Sequence, residues 1–369
     1  MNKKLNIVFL DFDDIKNPIL GGGQAKATVE VGKRLVKMGH SLTVICSKFP
    51  GYQDRFENGI RYIHIGIGTR NIKLNNILYI LLLPIEVVKQ RKVDIILECF
   101  TAPISTLFSP LFTKIPVVAL TTSFEADMFS SLYHFPLFKH IEKIGLKQYQ
   151  YFIAYTKHYE KKIKKYNKYA IVKIIPEGVG EEFFKIKKKT PEFILFLGRL
   201  DIGQKGIDLL LEAYSKVKDK IDYSLVIAGN GPDELKIRKI IKSYNLGKKV
   251  KMIGPTFGSK KFNVLSRSLF VAFPSRHEGF PLFSLEALAS SLPLVAFDIP
   301  GLSWTNINVC LKAKKYNTDE YSKLLLLATK KSVVNKMSIS AKKFAKNYSW
   351  DNVASSFESF FYEISLHKK

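Results

Sequence analysis

A segment in the last third of the chain reads as strand, loop, helix and strand, and this order most constrains the fold. Apolar residues 270–273 end the first strand, and residues 294–297 begin the next. Between them the pattern predicts a helix from about residue 282 to 291, preceded by Pro281, where a missing N–H costs little. Two strands joined through a helix pair in parallel within one sheet, so the segment predicts an α/β fold.

Two carboxylates lie on either side of the start of this helix. Glu278 is in the loop and Glu286 is one turn into the helix. The N–H groups at a helix N-terminus have no partner within the helix and suit a phosphate or another anion. Carboxylates accept hydrogen bonds from hydroxyl groups. A phosphate site with acids beside it is what a nucleotide sugar needs.

The spacing of this segment resembles a known family. Glu278, Gly279, Phe280 and Pro281 are followed by Glu286, eight positions after the first acid. This resembles the signature of retaining glycosyltransferases, in particular glycosyltransferase family 4 (glycosyltransferase group 1). The resemblance implies the GT-B architecture: α/β, with two Rossmann-like domains facing across a cleft and a C-terminal helix that crosses back to the first domain.

Length and charge fit a two-domain protein with an anionic partner. At 369 residues the chain exceeds the usual size of a single core. The formal net charge is +26, which favours lipid headgroups, nucleic acid or phosphorylated substrates. A lysine-rich composition spread over solvated helix faces explains the same charge, and both interpretations stay open.

The location is predicted to be cytoplasmic, either in solution or peripheral on the inner face of the cell membrane. Three scattered cysteines lack metal-ligand spacing and read as buried thiols in a reducing compartment. No signal peptide is apparent, because acidic residues interrupt the first apolar run. The longest apolar stretch, 77–88, contains Pro84 and Glu86 and is too short to span a bilayer.

The first half begins with a βαβ unit whose first turn is rich in glycine. An apolar strand over 5–11 precedes three glycines, Gly21, Gly22 and Gly23, and a helix follows. Glycines let a backbone approach a phosphate or sugar closely, although flexible turns of this kind are common. The pattern is not G-x-G-x-x-G and no acid ends the second strand, so a bound NAD is not expected.

The second half places two cations after a predicted strand over 193–197. Gly198 and Arg199 follow the strand directly, and Lys205 precedes Gly206 in a glycine-rich loop. Ligands of parallel α/β sheets bind at the carboxyl edge of the strands, so both cations lie where a ligand is expected. They can offset the charge of a diphosphate leaving group without a metal.

The resemblance implies a role for each residue. Arg199 and Lys205 hold the diphosphate and stabilise charge as the glycosidic bond breaks. Glu278 accepts from sugar hydroxyls and Glu286 from ribose hydroxyls, and Arg199, Lys205 and Glu278 form the catalytic set. The remaining predicted donor-binding residues contribute mainly backbone groups: Gly22, Gly23, Gly198, Gly279, Phe280, Pro281 and Leu282. The donor is a substrate, and neither a cofactor nor a metal is implied.

The predicted domains are residues 1–182 for the acceptor and 190–345 for the nucleotide sugar. The polar, lysine-rich stretch 181–190 reads as the linker between them. Residues 346–369 form the closing helix, which Ser349, Trp350 and Asp351 introduce as they do in the family.

One feature departs from the family. Family 4 enzymes usually carry a His just after the strand predicted here at 115–121, beside the transferred sugar. Thr122 and Ser123 stand in that region instead, and no His is present. This departure keeps open a catalytically altered, epimerase-like relative on the same scaffold.

Partners are predicted from charge and family. A glycan or lipid-linked acceptor and an anionic membrane surface fit the basic composition. A basic helical run over 157–168, with an apolar stripe at Tyr159, Ile163 and Tyr166, either lies on a membrane or packs on its own domain. Nucleic acid is the alternative anion, as a binding partner or as the target of a glucosylating enzyme, but no groove-reading motif supports it.

Overall fold

The protein folds into two compact units, each described here by itself. A computed structural model describes residues 3–100, 108–122, 124, 126, 130 and 134–366. Unit 1 comprises Met1–Glu177 together with Trp350–Lys369, and unit 2 comprises Gly178–Ser349. The sequence predicted a first domain that ends at residue 182 and a second domain that spans residues 190–345.

The strands in chain order are β1 (Asn6–Leu10), β2 (Ser41–Ser47), β3 (Arg55–Glu57), β4 (Ile60–Ile65), β5 (Ile95–Phe100), β6 (Val117–Thr121), β7 (Tyr151–Ala154), β8 (Ile171–Ile174), β9 (Phe193–Leu197), β10 (Ser224–Ala228), β11 (Val250–Gly254), β12 (Ser268–Phe273), β13 (Leu294–Phe297) and β14 (Cys310–Ala313). The helices of the described residues are α1 (Gly23–Lys37), α2 (Ile72–Lys89), α3 (Leu137–Gln148), α4 (Lys157–Tyr166), α5 (Glu181–Phe184), α6 (Ile202–Lys205), α7 (Ile207–Ser215), α8 (Glu234–Ser243), α9 (Gly258–Arg267), α10 (Leu282–Ala289), α11 (Thr318–Ala328), α12 (Lys331–Ala345) and α13 (Trp350–Leu366). Short 3-10 turns lie at Ser109–Phe112, Pro300–Leu302 and Lys346–Tyr348.

Unit 1 is built on an eight-stranded sheet in the order β3-β4-β2-β1-β5-β6-β7-β8. Every pairing is parallel except β3 with β4. The central strands are continuous apolar runs because helices cover both faces of a parallel sheet. One core cluster joins α2, α3 and α4 to one face of the sheet, through residues such as Tyr79, Leu146 and Ile163.

Unit 2 is built on a six-stranded, wholly parallel sheet in the order β11-β10-β9-β12-β13-β14. The order runs outward from β9 in one direction and from β12 in the other. Ligands of open α/β sheets bind beyond the carboxyl ends of the strands at this reversal. The fold therefore singles out the loops that follow β9 and β12.

The last helix belongs to unit 1. In α13, Trp350, Phe357 and Phe361 are buried, and Asp351 pairs with Arg34 of α1. Nε2 of His40 donates to Oε1 of Glu358 at 3.0 Å, because Nδ1 of the same ring accepts from the N–H of Leu5. The closing helix, predicted over 346–369, begins at Trp350, because the chain leaves α12 through a 3-10 turn at Lys346–Tyr348.

The stretch predicted as a linker, 181–190, packs on unit 2. Phe183 of α5 is buried and its ring meets that of Phe262 edge to face, with centroids 5.5 Å apart. Lys188 donates to the carbonyl groups of Leu265 and Ser268 at 2.9 and 2.7 Å. The lysine-rich composition of this stretch did not reveal that Phe183 is buried or that the ammonium group of Lys188 donates to backbone carbonyls.

The length and hydrophobicity of the helices bear on whether the chain can cross a membrane. Among the described residues, no helix combines the length and the apolar character that a passage through a bilayer requires.

Candidate functional site

The loop after β12 and the turn after β9 meet beside the point where the sheet order of unit 2 reverses. Lys205 Nζ lies 2.6 Å from Glu278 Oε1, with their side chains 21% and 8% exposed. Ser275 Oγ donates to the same oxygen at 2.7 Å. Within the described part of the chain both contacts reach Oε1, which leaves Oε2 to accept from a ligand.

A second ion pair holds the two segments together. The guanidinium of Arg276 makes two bonds of 2.7 Å with the carboxylate of Asp208, in the first turn of α7. The backbone N–H of Arg276 donates to the carbonyl of Gln204 at 2.8 Å. A two-point Arg–carboxylate contact fixes orientation as well as distance, so Lys205 is held against the Glu278 loop.

Gly206 allows the close approach of these segments. Its φ is +63°, and a Cβ at this position would lie 2.2 Å from the carbonyl oxygen of Pro274. A side chain would meet backbone there and would also adopt a disfavoured left-handed conformation. The glycine that follows Lys205 is therefore required by packing as well as by the turn.

The loop that carries Glu278 is supported on its other side as well. A Cβ on Gly301 would lie 2.4 Å from the carbonyl oxygen of Glu278, so the 3-10 turn at Pro300–Leu302 packs directly on the loop. Phe280 stacks on Trp304, with ring centroids 4.9 Å apart. Gly279 lies between these two supports. Such packing preorganises the loop before any ligand arrives.

The N-terminus of α10 adjoins this loop. Pro281 is its N-cap residue and Leu282 its first residue, and no side chain caps the helix. The first N–H groups of a helix have no intrahelical partner. They therefore remain donors for an anion, as the sequence analysis expects.

Arg199 lies at the rim of this site. Its side chain is 60% exposed, contacts Asp201 at 3.0 Å and donates to Gln204 Oε1 at 2.8 Å. It follows Gly198, which succeeds the last residue of β9. Arg199 therefore neighbours Lys205 through Gln204, and its side chain is largely exposed to solvent.

Glu286 has a different partner from Glu278. It is buried on α10 and forms an ion pair with Lys261 of α9. The structure thus brings Lys205 and Glu278 into contact and places Arg199 beside them, whereas Glu286 forms a separate ion pair between α10 and α9.

Three polar residues of this region were missed by the sequence analysis. Ser275 was detectable, because it lies three positions before Glu278 in the same loop. Lys261 and Asp208 had no signal, because each reaches its partner from another element.

In unit 1 the predicted glycines lie beside an acid. The carboxylate of Asp13 accepts from the N–H groups of Gly21 at 3.2 Å and Gly22 at 2.9 Å. Gly22 is the N-cap residue of α1 and Gly23 its first residue. The anion-binding groups of this turn are therefore engaged by the chain's own carboxylate.

The same turn holds two further acids in contrasting environments. Burial raises the pKa of Asp11 to about 6, against a weaker opposing effect of the hydroxyl of Thr28. Burial also opposes ionisation of Asp14, but bonds from His64 and Arg55 together outweigh it and hold the pKa of Asp14 below its usual range.

Asp14, Cys46 and His64 have ligand atoms within 4.8 Å of one another and are the candidate metal group among the described residues. The carboxylate of Asp14 already accepts from Arg55 at 2.7 and 2.9 Å and contacts His64 at 3.0 Å. Burial raises the pKa of the Cys46 thiol well above its ordinary value. A neutral thiol and a carboxylate neutralised by Arg55 make a poor metal site.

The residues after β6 bear on the missing His. Thr122 follows β6 directly and is half-buried, and Ser123 lies outside the described residues. What replaces the His of the family therefore stays a prediction.

Two family models match the chain in succession. The model of Glycosyltransferase Family 4 matches residues 21–183, and that of Glycosyl transferases group 1 matches residues 178–347. The chain belongs to the group 1, family 4 glycosyltransferases. The group 1 match contains the whole Lys205–Glu278 region.

Curated relatives of this chain align over part of their length. An uncharacterized glycosyltransferase of Methanocaldococcus jannaschii is 28% identical over 195 residues, 52% of this chain and 54% of the relative. An N-acetylgalactosamine-N,N'-diacetylbacillosaminyl-diphospho-undecaprenol 4-alpha-N-acetylgalactosaminyltransferase of Campylobacter jejuni is 35% identical over 33% of this chain and 32% of its own. The matched part of the chain thus spans about half of the length of the first relative and about a third of the length of the second.

Solved structures match the fold over almost the full chain. Sucrose-phosphate synthase from Thermosynechococcus elongatus superposes with a TM-score of 0.78 at 16% identity, covering 98% of this chain and 99% of that one. HepE of Anabaena in complex with UDP and glucose gives 0.71 at 14% identity, covering 97% and 100%. The predicted GT-B fold class of the chain is confirmed.

Proposed function

We propose that the protein is a retaining glycosyltransferase that moves a hexosyl group from a nucleotide diphosphate sugar to a glycan or lipid-linked acceptor. The observation that carries the proposal is the Lys205–Glu278 pair, beside an uncapped helix N-terminus and next to the strand reversal of unit 2. A cation, free N–H groups and an acid are the three partners that a sugar diphosphate needs.

The donor diphosphate is proposed to bind between Lys205, Arg199 and the N-terminus of α10. Lys205 would exchange part of its contact with Glu278 for a phosphate oxygen. Arg199 is exposed at the rim and free to turn toward a second phosphate. The nucleotide ribose would compete with Lys261 for Glu286. Gly22 and Gly23 remain proposed diphosphate contacts.

In the proposed reaction the bond between the anomeric carbon and the phosphate oxygen breaks, and the acceptor hydroxyl oxygen bonds to that carbon. The proton of the hydroxyl passes to the departing diphosphate, so no metal is needed to balance the step. Lys205 and Arg199 offset the charge that develops on the leaving group. Glu278, free at Oε2, accepts from sugar hydroxyls and steadies the ring.

The proposed acceptor class rests on charge and on relatives. The net charge of +26 fits an acceptor carried at an anionic membrane surface, on the inner face of the cell membrane. The name of the Campylobacter jejuni relative includes a diphospho-undecaprenol acceptor. No groove-reading motif favours a nucleic-acid target.

A thermal-shift panel of nucleotide sugars, followed by donor-hydrolysis assays, tests the proposal. A ligand that binds the native state raises the apparent stability, so the correct donor should raise the melting temperature. That donor should then be consumed, faster when a lipid-linked glycan acceptor is added. Failure of every nucleotide sugar to bind would overturn the donor assignment. Binding without turnover would favour the altered relative that lacks the His.

A further inference from the structure

Helix α2 presents an apolar face to solvent. Six residues at helical spacing are 37–64% exposed: Leu74, Ile77, Leu81, Leu82, Ile85 and Val88. At about 1.5 Å per residue this stripe is roughly 20 Å long. Surface helices normally turn charged or polar residues outward, so an outward face made of large aliphatic residues calls for an explanation.

The opposite side of α2 anchors it firmly in unit 1. Tyr79, Leu83 and Val87 are buried in the core beneath the sheet. Asn71 caps the N-terminus by accepting from the N–H groups of residues 73 and 74, and Tyr79 donates to the carbonyl of Ile45 at 3.0 Å. The helix therefore cannot turn its apolar face inward without losing these contacts.

A neighbouring turn enlarges the apolar face. The 3-10 turn at Ser109–Phe112 contacts α2 and exposes Leu111 and Phe112. Contiguous exposed patches of this kind mark interaction sites, whereas single exposed aliphatic residues are ordinary. We call these eight side chains the α2 patch.

Cations surround the α2 patch. Exposed basic residues lie just before α2, at its two ends and just after it, and Lys114 follows the 3-10 turn. Helices α3 and α4 pack on the same core cluster as α2, and they carry seven exposed lysines: Lys139, Lys143, Lys147, Lys157, Lys161, Lys164 and Lys165. These two helices carry two acids: Glu142 is buried and pairs with Lys162, and Glu160 is half-buried.

We propose that this layer docks on an anionic lipid bilayer, with the α2 patch at the boundary of headgroups and acyl chains and the lysines of α3 and α4 over the headgroups. An apolar helix face flanked by cations is the chemistry of an interfacial helix, and each Lys near an anionic surface strengthens its binding. A second copy of the chain fits less well, because pairing two such layers would oppose two sets of cations.

The docking element is not the basic run over 157–168, for which the sequence left membrane contact and packing on its own domain open. The basic run over 157–168 forms α4, but Tyr159 and Ile163 are buried in unit 1. Helix α4 therefore offers cations without an apolar face, and α2 supplies the apolar face. Docking on a bilayer does not depend on the proposed function. Only the purpose of docking, which is to reach a lipid-linked acceptor, rests on it.

Vesicle flotation with the full chain tests the inference. The vesicles are phosphatidylcholine alone, or the same lipid with one-third phosphatidylglycerol. The double variant Leu81→Gln, Ile85→Gln removes two neighbouring apolar side chains of the patch. Its partitioning onto anionic vesicles should fall at least about tenfold, because several buried CH₂ and CH₃ groups are lost.

A matched control makes the same chemical change elsewhere. Leu235 and Ile339 are each 75% exposed, on α8 and α12 of unit 2. The variant Leu235→Gln, Ile339→Gln should partition within about twofold of the unmodified chain. Melting temperatures of both double variants check that each is folded.

A charge variant separates the electrostatic part. Lys161→Glu with Lys165→Glu should lower partitioning at low salt about tenfold or more, and the difference should shrink at high salt. Vesicles without anionic lipid should bind every variant weakly.

Three outcomes would overturn the inference. They are no flotation of the unmodified chain with anionic vesicles at low salt, equal flotation of the Leu81/Ile85 variant, and loss of self-association in that variant without vesicle binding. The last, seen by sedimentation velocity, would assign the patch to a second copy. Lys205→Ala distinguishes the two proposals, since it should lose donor turnover and still float.

Discussion

The two units share one local architecture, but the corresponding turns carry opposite charge. In each, a turn follows the first strand of a parallel sheet and leads into a helix. The turn after β9 carries Arg199 and Lys205, and its lysine meets the acid of another loop. The turn after β1 carries three aspartates, and Asp13 occupies its own glycine N–H groups.

This difference indicates a division of labour. A cationic turn beside an uncapped helix can receive a diphosphate, whereas an acidic turn with engaged N–H groups repels one until its acid moves or is neutralised. A shared architecture therefore does not give the two turns a shared ligand. The proposed binding of the diphosphate by Gly22 and Gly23 therefore requires that the acid of this turn moves or is neutralised.

The largest expected effect comes from the cationic turn. Lys205→Ala or Glu278→Ala should lower donor turnover at least about a hundredfold, because each removes a preorganised group at the reacting centre. The matched control is Lys239→Ala, an exposed lysine on α8. Steady-state hydrolysis of the best donor measures the effect, and unchanged turnover would remove these residues from the mechanism.

Glycine replacement should separate the two turns by stability. Gly206→Ala puts a methyl group against the carbonyl of Pro274 at φ +63°, and should cost unit 2 about 2–3 kcal/mol. Gly22→Ala meets nothing nearer than an Asp13 oxygen at 3.8 Å, and should stay within about 1 kcal/mol of the unmodified chain. Hydrogen exchange of peptides from each unit reads the difference. Equal costs would mean that Gly206 tolerates a side chain.

The acidic turn should show its own pH dependence. Because the pKa of Asp11 is about 6 in the fold and 3.8 as its ordinary value, the folded chain holds a proton that the unfolded chain releases between these values. The Asp11 contribution to the stability of unit 1 should therefore fall as pH rises from about 4 to 6, and stay level above that. Asp14 acts in the opposite direction, below pH 4, since its pKa is lowered.

Asp11→Asn tests that assignment. It should match the unmodified chain near pH 4 and exceed it by about 2 kcal/mol at pH 7, provided that the amide oxygen still accepts from Thr28. Urea unfolding followed by hydrogen exchange in unit 1 measures the gap. A gap that does not change with pH would refute the buried-acid account.

The smallest effect decides the fate of the unit 1 glycines. Asp13→Asn keeps an oxygen for the N–H groups of Gly21 and Gly22 but removes the negative charge. If Gly22 and Gly23 bind the diphosphate, as proposed, the donor KM should fall about threefold as a like charge disappears. An unchanged KM would confine the diphosphate site to unit 2.

Patterns within one segment were predictable. Helix α10 begins at Leu282 and β13 spans Leu294–Phe297, both as expected, because Pro281 and Pro293 punctuate the sequence. The parallel sheets followed from apolar runs alternating with helices. The charged residues predicted after β9 and β12 do follow these strands, at the carboxyl edge of the sheet.

Contacts between elements were not predictable. Lys261 reaches Glu286, and Arg276 reaches Asp208, across distances along the chain that no spacing rule covers. The hydrogen bonds from the N–H groups of Gly21 and Gly22 to Asp13 depend on a loop conformation. The exposure of α2 is also unexpected, because an apolar helix is normally buried. Each of these depends on tertiary packing, which periodicity does not encode.

A crystal structure with a bound nucleoside diphosphate is the most direct measurement. The account predicts the diphosphate at the N-terminus of α10, with a phosphate oxygen within hydrogen-bond reach of Lys205 Nζ and the ribose hydroxyls at Glu286. A diphosphate bound away from Lys205, with the Lys205–Glu278 contact intact, would contradict it.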